Sequence, residues 1–237
     1  MFDAKKLLDQ FLGSQIPGMS GSVRDRAGQA TQLAKNNPMA TGAIVAALLG
    51  TKTGRNLAGN VATVGGIAAI AGLGYLAYKN YKSGQSPQTA PQPAPQTETP
   101  LLPPPADSPF SPQSPQLSND FALTLVRAMI AAAKADGHID AAERANIMDK
   151  VHAVDLGSEA EAFIAQELAN PVDMDDLIAA ARTEEQKVEL YTATRVTIDP
   201  DTRAERGYLD LLAGRLGLPD ALIDHIDATV SAAKVKV

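Results

Sequence analysis

Twenty-two consecutive residues without a charge, LAGNVATVGGIAAIAGLGYLAY from Leu57 to Tyr78, constrain this chain more than any other stretch. A helix of that length covers about 30 Å, the thickness of a bilayer's hydrocarbon core, so the run predicts a transmembrane helix. Tyr75, Tyr78 and Tyr81 with Lys79 and Lys82 at its end fit an interfacial belt of aromatic rings and snorkelling cations. The alternative is a Gly/Ala helix buried in a protein core, for which the surrounding sequence offers few apolar partners.

A shorter apolar run, Met39–Gly50, follows Pro38 and is too short to span alone; a hairpin with the longer run is one alternative to a single span. Every fourth residue across both runs is small: Gly42, Ala46, Gly50, Gly54, Ala58, Ala62 and Gly66. Such a seam lets two helix backbones approach closely, which predicts either self-association into a homo-oligomer or that hairpin. Residues 1–37 lack a signal peptide's uninterrupted apolar region and carry only a short amphipathic helix candidate, with Phe2, Leu7, Leu8, Phe11 and Leu12 available to a bilayer or a partner.

Charge divides the chain. Residues 1–82 carry nine Lys/Arg and three Asp/Glu, net +6, whereas residues 119–237 carry twelve bases and twenty-two acids, net −10. A basic front and an acidic back suggest a membrane-facing segment (38–82) tethered to a solvated domain (119–237), and the acidic half lacks the basic footprint that nucleic acid requires. Between them, residues 83–118 hold eleven of the sixteen prolines, which remove backbone donors and predict a disordered, extended spacer that buries nothing. With no cysteine there is neither a disulfide framework nor a thiolate metal site.

The acidic half predicts an all-α bundle of about seven helices, at 120–135, 140–154, 158–169, 173–182, 184–197, 200–216 and 219–233, because apolar residues recur at helical spacing and no stretch alternates like a strand. Asp140 with Glu143, Ser158 with Glu161 and Thr183 with Gln186 have capping-box spacing, and Pro200 reads as the first residue of another helix. Leu211, Leu212 and Leu216 are among the residues expected in the core.

Two junctions gather acids. ADGHIDAAER, Ala135–Arg144, matches the later positions of a calcium loop, but Ala132 and Lys134 stand where the first two ligands belong, so it is no EF-hand. The second junction repeats the unit of apolar helix, Ile-Asp and acidic helix: Ile139-Asp140 corresponds to Ile198-Asp199. Paired by a pseudo-twofold, the junctions bring Asp136, Asp140, Glu143, Asp199, Asp201 and Glu205 together as ligands for a hard divalent cation; alternatively, the acids only cap helices. No nucleophile, oxyanion donor or substrate pocket can be named, so the expected role is non-enzymatic binding.

AAAKADGHIDAAER followed by RVTIDPDTRAERGYLDLLAGRLGLP resembles the TerB-like domains of tellurite-resistance-associated proteins. With the apolar segment and Pro/Gln linker in front, the chain resembles the YebE-like family of bacterial inner-membrane proteins of unknown function. The resemblance implies two similar helical halves, a divalent metal at the same six acids, and a stress-response role through protein partners that it does not identify. It also implies a cytoplasmic domain, although Lys/Arg counting around a single span would put that domain outside.

Overall fold

The computed structural model describes residues 66–87, 104–135, 144–145, 148, 152, 158–171 and 173–234. Seven helices run through them: α1 (Gly66–Lys82), α2 (Asn119–Ala133), α3 (Ser158–Ala169), α4 (Met174–Ala180), α5 (Glu184–Thr197), α6 (Arg203–Leu216) and α7 (Asp220–Lys234). The described residues contain no strand, so the fold is all-α as expected.

Local chemistry sets the helix ends. A capping box starts α5: Thr183 Oγ1 accepts from the Gln186 N–H at 3.2 Å, and Gln186 Oε1 accepts from the Thr183 N–H at 3.2 Å. The start of α6 differs from expectation. Pro200 lies outside the helix, and Thr202 caps it in a second box, its N–H donating to Glu205 Oε2 at 2.9 Å. The box satisfies two orphan donors, whereas a proline at the first position merely avoids adding one, so the helix begins where the box is. Gly217, at φ +67°, ends α6 in the left-handed conformation glycine favours, and the Leu218 N–H bonds back to the Ala213 carbonyl at 3.2 Å.

The described half of the charge-free run does not support the transmembrane expectation. α1 packs against α5 and α7 and buries Ala69, Ile70, Leu73 and Ala77 in the same apolar cluster as Val188, Leu222 and Ile226. Among the described residues no helix is long and apolar enough to cross a membrane, while residues 57–65 lie outside them. Gly74, which is not one of the seam residues, lets α1 approach α5 closely. A Cβ on Gly74 would meet Thr192 Oγ1 and Val188 Cγ1 at 3.4 Å. The closeness has a cost, because Thr192 Oγ1 is buried there without a hydrogen-bond partner, a defect of about 1–3 kcal/mol. Gly66 opens α1; Gly42, Ala46, Gly50, Gly54, Ala58 and Ala62, the hairpin partner and residues 1–37 lie outside the described residues.

Part of the proline-rich segment also departs from expectation. Over 104–118 the chain is a strap of consecutive turns that buries Phe110 and Leu117, each 2% exposed, in the core. Its basis is a triplet, Ser108-Pro109-Phe110, Ser111-Pro112-Gln113, Ser114-Pro115-Gln116. The N–H groups of Ser111, Ser114 and Leu117 donate to carbonyls three residues back at 2.9, 2.8 and 3.1 Å. Each serine Oγ accepts from the N–H two residues on, at 3.2, 3.3 and 3.2 Å. Proline pre-sets φ for the second position of each turn and serine closes it, so a donor-poor segment still satisfies its backbone. The strap is fastened to α5 where Gln186 Nε2 donates to the Gln116 carbonyl at 2.8 Å.

Leu211 is another correction: it is 53% exposed, because α6 turns Leu209, Leu212 and Leu216 inward instead.

Candidate functional site

Of the second junction's acids, Asp199 and Glu205 use their carboxylates to hold the fold. Asp199 lies one turn beyond Arg195 of α5, whose Nη1 is 3.4 Å from Asp199 Oδ1. The same guanidinium donates from Nη1 to the Ile198 carbonyl at 2.9 Å, from Nε to Asp227 Oδ1 at 3.1 Å and from Nη2 to Ser231 Oγ at 3.0 Å. Glu205 closes the α6 capping box. Asp201 is exposed, its N–H turning back to the Asp199 carbonyl at 2.7 Å and its carbonyl accepting from Arg206 Nη1 at 2.8 Å.

Asp136, Asp140 and Glu143 of the first junction lie outside the described residues, as does His138. Among the described residues no group of three or more His, Asp or Glu side chains is placed to hold a metal ion. The basic residues flanking that junction are described, and both reach the C-terminal end of α3. Lys134 Nζ donates to the Glu167 and Asn170 carbonyls at 2.9 and 2.6 Å, and Arg144 Nη2 donates to the Leu168 carbonyl at 3.4 Å. Cations there complement the negative end of the helix. Partial burial, and then the Arg144 charge, lower the Lys134 pKa.

A cation shared between the junctions would compete with Arg195 for Asp199 and with the α6 cap for Glu205. Asp199→Asn is therefore expected to leave divalent-cation affinity, measured by titration calorimetry, at the wild-type value. Its partly exposed ion pair with Arg195 sets a stability cost of about 0.5–1 kcal/mol, readable by urea unfolding.

Two features were not found from sequence. One is an open cleft of about 380 Å³ where the end of α1 meets the strap, lined by Tyr75, Tyr78, Lys79, Lys82, Phe110 and Glu185 among others. The tyrosines expected at a membrane interface face protein there: the Phe110 ring lies 6.0 Å from Tyr75 and 5.5 Å from Tyr78, centroid to centroid. Glu184 holds this end of α1, accepting from Tyr78 OH at 3.0 Å and pairing with Lys82 at 3.4 Å. The repeated Ser-Pro-x triplet carrying Phe110 was the sequence signal for this arrangement. The other feature is Glu189 of α5, 2% exposed. Burial, with Glu185 one turn earlier acting the same way, pushes its pKa up to about 8. Nothing in the local sequence separates it from a solvated helix acid.

No solved structure matches the chain. A relative from Yersinia enterocolitica, "Uncharacterized protein in ampR 5'region", is 31% identical over 113 residues, 48% of this chain and 81% of the relative. Residues 34–230 match the family described as "Protein of unknown function (DUF533)", and the match takes in the apolar stretch, the strap and the helical domain together. The chain belongs to this DUF533 family, whose function is unknown.

Proposed function

We propose that this protein is a non-enzymatic helical binding module of the bacterial inner membrane, its apolar front contacting the bilayer and its acidic domain, on the cytoplasmic side, docking protein partners. The observation that carries this reading is that α1, half of the apolar run, shares one core with α5 and α7. Whatever the front of the chain engages is thereby mechanically joined to the acidic domain. The extent of the family match, 34–230, supports treating the two parts as one unit. Net −10 over residues 119–237 favours partners with basic surfaces.

The resemblance to TerB-like domains supports a role in envelope or in metal and oxyanion stress. Within it, divalent-cation binding rests on Asp136, Asp140 and Glu143 of the first junction, since Asp199 and Glu205 have other engagements. The test is carbonate washing of membranes from bacteria expressing the full chain. Retention in the washed membranes is expected; complete release into the wash would overturn the membrane part.

A further inference from the structure

We propose that α1 has two alternative seats, the groove between α5 and α7 seen here and a lipid bilayer, with the strap at Phe110 as the latch between them. The inference rests on the membrane reading above and adds that the domain withholds its own anchor.

The two seats exclude each other. The charge-free run Leu57–Tyr78 has the length of a spanning helix, yet α1 turns Ala69, Ile70, Leu73 and Ala77 of that run into the protein core. The groups at its end are likewise claimed twice. Tyr75, Tyr78, Lys79 and Lys82 have the make-up of an interfacial belt, but here Phe110 covers the first two and Glu184 grips Tyr78 and Lys82. Engaging lipid headgroups requires breaking those contacts.

The protein seat is also built to be left. A close approach, at Gly74, sits against the unsatisfied Thr192 hydroxyl, so departure of α1 lets that hydroxyl hydrate. Alanine and glycine on the buried face contribute less apolar area per residue than leucine would. Leu76, by contrast, is 42% exposed on α1, and a bilayer would cover it. In sequence, residues 83–103 separate α1 from the strap.

The chain has no cysteine, which permits a reversible lock. In full-length protein carrying Gly74→Cys and Thr192→Cys, the two sulfurs fall within disulfide reach, since a Cβ at Gly74 would lie 3.4 Å from Thr192 Oγ1. Flotation with phosphatidylethanolamine/phosphatidylglycerol vesicles is the readout. The reduced pair should float like wild type, oxidation should lower the floated fraction by about tenfold, and reductant should restore it. Phe110→Ala should raise flotation severalfold by releasing the latch. Equal flotation of the oxidised and reduced forms would overturn the two-seat inference while leaving the membrane reading intact. No flotation of wild type or of the reduced pair would sink the membrane reading itself. Failure of the pair to oxidise would show that α1 does not occupy the groove, which also overturns the proposal.

Discussion

Replacing Glu189 by methionine should stabilise the protein, with the gain growing between about pH 5 and about pH 8. In the folded chain the carboxyl is 2% exposed on α5, and burial raises its pKa from the ordinary 4.5 to about 8. Below 4.5 the group is neutral whether the chain is folded or unfolded, so it has no effect on the pH dependence of stability. As pH rises through the window from 4.5 to about 8, only the unfolded chain can ionise it, and folding loses stability at about 1.4 kcal/mol per pH unit. Above the folded value the loss levels off. By pH 8 it amounts to roughly 3–5 kcal/mol, an upper range because water entering the site would lessen it. Methionine has similar volume and no charge, so urea midpoints of Glu189→Met should stay nearly level across this window, apart from other titrations, while those of wild type fall. Parallel slopes for the two proteins would mean that Glu189 is already ionised in the folded state.

The acid of α5 escaped sequence reading for the same reason that its neighbours did. From Val188 to Ile198 every residue is buried, including Glu189, Thr192, Thr194 and Arg195. A central helix surrounded by others has no polar face, so the periodicity that locates amphipathic helices loses its signal there. Boundaries were legible where local chemistry sets them: the Thr183–Gln186 box needs only its own residues. The Thr202–Glu205 box was equally local, but Pro200 two residues earlier suggested a different start.

α1 and the strap failed for a different reason. Hydropathy counts apolar atoms without identifying what covers them, so Leu57–Tyr78 has one pattern whether lipid or α5 and α7 lie alongside it. In residues 83–118, eleven prolines drew attention to missing donors, while in the strap the serine before each of Pro109, Pro112 and Pro115 supplied the compensating acceptors. Of the acidic junction, the Arg195–Asp199 pair was readable from i,i+4 spacing. The Asp227 partner was not, because it comes from α7, 32 residues away.

Arg195→Ala should be among the most destabilising single substitutions in the described domain, at about 3–5 kcal/mol. Its side chain is 7% exposed, and it joins three places: the end of α5 through the Ile198 carbonyl, the junction through Asp199, and α7 through Asp227 and Ser231. Alanine removes all four contacts and leaves a cavity where they converged. Asp227→Asn should cost less, about 1–2 kcal/mol. Asp227 is 40% exposed in its side chain, burial already holds its pKa above the usual carboxylate value, and Arg195 keeps its other three partners. Arg195→Lys should fall nearer to alanine than to wild type, because one ammonium cannot serve acceptors arranged around a planar fork. A double-mutant cycle between positions 195 and 227, followed by urea unfolding, separates two origins of the large loss. If the pair itself dominates, Asp227→Asn will cost nearly as much as Arg195→Ala, and the double variant no more than either. If the rigid junction dominates, the Arg195 loss will persist in the Asp227→Asn background. The geometry favours the second outcome, since two of the four contacts end on Ile198 and Asp199.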